Sequence, residues 1–130
     1  MSSKLAKILY GEANAQVSST QIKLFEKAGY VVESAIGREA IADAVKRSAF
    51  ALVILGHTLS KDDRHHLPYM AKKSHPATRV LVLHSSGKHP KVDIAIDSRD
   101  GEGAVLKAVA QLLAAQDREP VPLRAAVAFA

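Results

Sequence analysis

All six histidines of this 130-residue chain, at positions 57, 65, 66, 75, 84 and 89, fall in one third of its length. Imidazole is the commonest metal ligand and the usual proton carrier near neutral pH, so this is the first place to look for chemistry. His65 and His66 are adjacent and cannot grip one ligand from one helix, unlike an i, i+4 pair, so they read as surface histidines. There is no cysteine, which excludes thiolate metal sites, thiol nucleophiles and a disulfide framework. Gly101-Glu102-Gly103 opens a helix but lacks a phosphate-loop pattern, and reads as a flexible connection.

The same third is basic. Residues 57–91 hold Lys61, Arg64, Lys72, Lys73, Arg79, Lys88 and Lys91 against Asp62 and Asp63, an excess equal to the whole formal charge of +5. Phosphate or nucleic-acid binding is one reading of such a patch. With Tyr69 as its single aromatic and no recognised nucleic-acid motif, a solvated basic face is favoured, and nucleic acid stands as an alternative. Lys72 and Lys73 fall in the last turn of an expected helix, where cations complement the helix dipole without a partner.

The elements that must position these residues follow from hydrophobic periodicity. Apolar runs over 7–11 (KILYG), 30–35 (YVVESA, an edge strand), 50–55 (FALVIL, the central strand), 79–83 (RVLVL) and 92–96 (VDIAI) predict five strands. Helices are expected over 18–28, closed by Gly29, over 38–48, over 60–74 and from 97–103 onward. Ser60 with Asp63 gives an approximate capping box for the third, which Pro68 should kink or restart. The order predicts an α/β fold: a flavodoxin-like, doubly wound, five-stranded, mostly parallel sheet over residues 1–115, followed by a tail over 116–130.

Open α/β sheets bind ligands at the carboxyl ends of their strands, where Glu12, His84 and Asp97 should converge. A Glu-His-Asp set can hold a divalent metal or a small ligand, but no spacing motif supports it. A hydrogen-bonded polar cluster, with His84 and Asp97 paired, is the favoured reading, with no metal assigned.

The segments KILYGEA, KAGYVVESA, FALVILGHTLS and RVLVLHSS, spread over residues 5–114, resemble the CheY-like receiver domains of response regulators in two-component signalling. The resemblance implies phosphoryl transfer to an aspartate at the end of the third strand. It also implies an acidic pair for magnesium on the first strand, a hydroxyl on the fourth and a lysine on the fifth. Carried onto this chain, the acidic pair falls on Glu12 and Ala13, and the phosphoacceptor falls on Gly56. The hydroxyl position falls on His84, with Ser85 beside it, and the lysine position on Asp97. Only Glu12 of the magnesium-binding pair is thereby kept, no cofactor is assigned, and the nucleophile is absent. His57 cannot replace it if successive strand residues face opposite ways.

The family's fourth helix is expected to be missing, because few residues separate RVLVLHSS from VDIAID. Two parallel strands need a longer crossover than that. The last strand should therefore run antiparallel, lie at the edge, or be reached by an unusually extended connection. The short basic loop with Lys88, His89 and Lys91 would then stand in as the partner-binding surface.

The function expected is that of a stand-alone degenerate receiver: a non-enzymatic signalling module that binds a protein partner, a kinase or an effector. No DNA-binding output domain is expected after residue 115. The apolar end AAVAFA favours docking or a homodimer. No signal peptide or apolar run of about 18 residues occurs, so a cytoplasmic location without a membrane span is expected.

Overall fold

In the computed structural model, residues 7–83, 92–96 and 101–118 are described, the side chains of 115–118 excepted. The elements run β1 (Ile8–Glu12), α1 (Ala15–Lys27), β2 (Val32–Ile36), α2 (Arg38–Arg47), β3 (Leu52–Leu55), α3 (Lys61–Ser74), β4 (Arg79–Leu83), β5 (Ile94–Ile96) and α4 (Gly101–Arg118). The strands form one five-stranded sheet in the order β2-β1-β3-β4-β5, and every adjacent pair is parallel. The doubly wound α/β sheet is as expected, with β3 at its centre and β2 at an edge.

Period-two alternation divides the core into two halves. Leu9, Val53, Leu55, Val80 and Val82 point to one face, against Ile41, Ala44 and Val45 of α2 and Leu67 and Ala71 of α3. Ile8, Tyr10, Leu52, Ile54, Leu81 and Leu83 point to the other, against Phe25 of α1 and Val109, Leu112 and Leu113 of α4. Each fully buried Leu or Ile contributes roughly 1.5–3 kcal/mol, so β3, covered on both faces, anchors the fold.

Several boundaries differ from expectation for local reasons. α1 starts at Ala15 because the Asn14 side chain accepts the Val17 N–H at 3.0 Å and caps the helix earlier than residue 18. It ends in a Schellman motif: Gly29, at φ 98°, donates to the Glu26 carbonyl and Tyr30 to the Phe25 carbonyl. Tyr30 and Val31 are taken up by that exit, so β2 begins at Val32 rather than at residue 30. α3 starts at Lys61, with Ser60 Oγ accepting the Asp63 N–H at 3.1 Å. It does not restart at Pro68, which lies buried inside one continuous helix that runs to Ser74.

The last strand is both at the edge and parallel, although only residues 84–93 separate it from β4. Residues 84–91, where the missing fourth helix and the loop of Lys88, His89 and Lys91 were placed, lie outside the described residues.

Asp93 shows what ties that edge down. Its backbone N–H donates to the Val80 carbonyl at 2.9 Å, and its carboxylate accepts the Val80 N–H at 2.7 Å. The same carboxylate pairs with Lys72 Nζ at 2.6 Å and with Arg79 Nη1 at 3.4 Å, all three side chains being largely buried. The expectation that Lys72 needs no partner is thereby corrected: it links α3 to the start of β5. Lys72 and Arg79 share this one carboxylate, which offsets one of their two positive charges.

Candidate functional site

The carboxyl ends of β1 and β3 lie side by side, with the Gly56 N–H donating to the Gly11 carbonyl at 2.8 Å. Even-numbered residues of both strands face α1 and α4, which puts Tyr10, Glu12 and Gly56 in one line of sight. Glu12 is fully buried. Its Oε2 accepts the Tyr10 hydroxyl at 2.6 Å, and its Oε1 accepts the Thr58 N–H at 3.0 Å. The Thr58 hydroxyl also donates to Oε1. Thr58 Oγ1 in turn accepts the N–H groups of Ala13, at 2.9 Å, and Asn14, at 3.1 Å. A closed network therefore ties the β1–α1 loop to the β3–α3 loop, and it answers the desolvation cost of the buried carboxylate with donors.

Gly56 is what makes room for it. A Cβ built on Gly56 would lie 1.9 Å from Glu12 Oε2 and 2.0 Å from its Cδ. The Glu12 carboxylate thus occupies the volume that any side chain at position 56 would need. The glycine at 56 is required by this close approach and not by its backbone angles, which lie outside the positive-φ set of Gly29, Gly37 and Gly101.

His57 does not point away from this pocket, contrary to the strand-alternation argument. β3 ends at Leu55, so His57 sits in a turn, where its Nδ1 comes to 4.0 Å from Glu12 Oε2 with 40% of its side chain exposed. Ala13 contributes only its backbone N–H, to Thr58. His84, Ser85 and Asp97, expected at the same sheet edge, lie outside the described residues. Among the described residues, no group of three or more His, Cys, Asp or Glu is placed to hold a metal ion. His65 and His66 are exposed on α3, their rings edge to face at 5.4 Å.

Tyr10 and Thr58 were missed by the sequence reading. For Tyr10 a signal was present, since it lies two residues before Glu12 on the same face of one strand. Thr58 is 46 residues from Glu12 and carried none.

Burial, and then the hydrogen bond to Glu12, push the Tyr10 hydroxyl far above the ordinary tyrosine range. An unfolded chain releases this proton near pH 10 while the folded protein keeps it, so the folded state loses stability as pH rises past that point. Tyr10 should therefore add a decline of about 1.4 kcal/mol per pH unit above roughly pH 10. Urea titrations at pH 8, 10 and 11 test this: Tyr10→Phe should flatten the decline, and an unchanged slope would refute the assignment.

Solved structures carry the same architecture. The receiver domain protein (CheY-like) from Methanospirillum hungatei aligns with TM-score 0.76 at 18% identity, over 88% of this chain and 98% of that one. The signal receiver domain of an HD domain-containing protein from Pseudomonas fluorescens gives 0.78 at 16%, over 92% and 95%. The receiver domain of the sensor histidine kinase PA1611 from Pseudomonas aeruginosa, solved with magnesium in its active-site cleft, gives 0.70 at 9%, over 85% and 98%. No family sequence model matches the chain, and the comparison with curated proteins finds no match. The fold is the CheY-like receiver fold of response regulators. Among the described residues, no helix is long and apolar enough to cross a membrane.

Proposed function

We propose that this chain is a degenerate receiver module that acts in signal transduction by binding a protein partner, a signalling kinase or an effector, without aspartyl phosphorylation. One observation carries the reading. The position that would bear the phosphoacceptor is Gly56, and the space for its side chain is filled by the Glu12 carboxylate. A phosphoryl group requires a nucleophile and room to arrive, and position 56 offers neither.

The donor set does not fit magnesium either. Ala13 brings no ligand oxygen from its side chain, and both oxygens of Glu12 already accept protein donors. Hard divalent cations need several oxygens facing one point, and the described residues do not supply them. The same filling counts against a small-ligand pocket at this sheet edge. A nucleic-acid surface is weakened because Asp93 holds the largely buried side chains of Lys72 and Arg79 and offsets one of their two charges. What remains is surface recognition without bond making, in keeping with a non-enzymatic cytoplasmic module.

Incubation with acetyl phosphate and magnesium, followed by intact mass measurement, tests this. No hydroxylamine-sensitive adduct should form, whereas a stoichiometric acyl-phosphate adduct would overturn the reading.

A further inference from the structure

The edge strand β2 is exposed in a way the pocket does not explain. It pairs with β1 on one side, and among the described residues no strand pairs with its other edge. The Gly37 N–H donates to the Glu12 carbonyl, so odd-numbered residues of this strand face β1. By alternation, the N–H and C=O groups of Val32, Ser34 and Ile36 point outward. Val31, at 68% exposure, and Ile36, at 39%, are two of the three exposed large hydrophobics among the described residues. A groove of about 320 Å³ runs between α1 and β2, lined by Ala15, Ser18, Ile22, Ser34 and Ile36 among others. Ser18 is buried, and its hydroxyl has no hydrogen-bond partner among the described residues. β2 contains no proline and no lysine, and its one charged residue, Glu33, is paired with Arg47 of α2 at 3.1 Å.

We propose that the β2 edge is the seam of a homodimer, in which β2 of a second copy adds antiparallel across a two-fold axis at Ser34. This register fits the chain's own chemistry. Val32 of one copy faces Ile36 of the other, and their outward N–H and C=O groups form hydrogen-bonded pairs. Glu33 falls opposite Ala35 of the second copy, so no like charges meet. The groove carries one cation and one anion, Lys23 and Glu26, and therefore meets its own image without net repulsion. Ala15, Ser18 and Ser19 are small enough to let the two α1 helices approach. An isologous contact of this kind closes at two copies and joins the sheets into one.

Sedimentation equilibrium on the full chain should show a dimer. Ile36→Lys and Ser34→Pro, the latter at an outward-facing N–H, should each raise its dissociation constant at least about tenfold. Far-UV circular dichroism controls for folding, and Ile36→Lys, at a partly exposed side chain, decides the matter if Ser34→Pro unfolds. Hydrogen exchange at Val32, Ser34 and Ile36 should slow as concentration rises. A monomer at every concentration, a dimer insensitive to Ile36→Lys, or edge protection independent of concentration would each overturn the proposal. The last of these outcomes would assign the edge to another part of the same chain.

Discussion

Gly56→Ala should destabilise the protein by about 4 kcal/mol, a large effect for adding one methyl group. The methyl carbon would land within the Glu12 carboxylate, 1.9 Å from Oε2 and 2.4 Å from Oε1. Glu12 is a flexible side chain, but it cannot step aside without cost. It is fully buried, and leaving its place breaks the bonds from Tyr10 and from Thr58. Each buried donor left unpaired costs roughly 1–3 kcal/mol, and the displaced carboxylate must find new solvation. Gly56→Asp, which puts a carboxylate just past the end of β3, should be worse still, since two acidic groups would compete for one buried volume. Urea denaturation with a constant m-value measures both, and a loss below about 1 kcal/mol for Gly56→Ala would show that the pocket yields freely.

Glu12→Ala is the second large effect, expected to cost about 3 kcal/mol. It strands the Thr58 N–H and the Tyr10 hydroxyl and unties the β3–α3 loop from β1. The informative experiment joins the two positions. Once Glu12 is truncated, the methyl group added at position 56 finds empty space, and the added cost of Gly56→Ala should fall below about 1 kcal/mol. The double mutant should therefore be more stable than the sum of the single effects by about 3 kcal/mol. Glu12→Ala should likewise relieve Gly56→Asp, because the carboxylate is then moved from position 12 to position 56 rather than duplicated. Additive losses would mean that Glu12 and Gly56 do not share a volume, and the account of the filled pocket would fall. If the two residues do share it, glycine at 56 and glutamate at 12 are one feature, and restoring an acceptor requires changing both.

The same pair shows how far local sequence reading reaches. That Gly56 lacks a nucleophile is visible in the residue itself. That Glu12 fills the vacancy is not, because it depends on β1 and β3 being neighbours in a register that sets Gly11 beside Leu55. His57 departs from expectation for a related reason. Alternation holds only while the strand lasts, and β3 ends two residues earlier, at Leu55. Lys72 could be explained by the helix dipole alone until the fold brought Asp93 within 2.6 Å of it.

The architecture is legible in local signals: five apolar runs of strand length, helical periodicity between them, glycine at the turn after α1 and a fully apolar central strand. Each of these lies within a window of a few residues, and burying them admits few arrangements other than a doubly wound sheet. Three outcomes have no such local signal: which polar groups share a pocket, that β5 runs parallel at the edge, and which strand edge lies open. They rest on contacts between residues far apart in the chain, such as Thr58 with Glu12 and Asp93 with Lys72 and Val80. No local pattern encodes such contacts, because they are fixed only when the strands have paired and the side chains have competed for the same space.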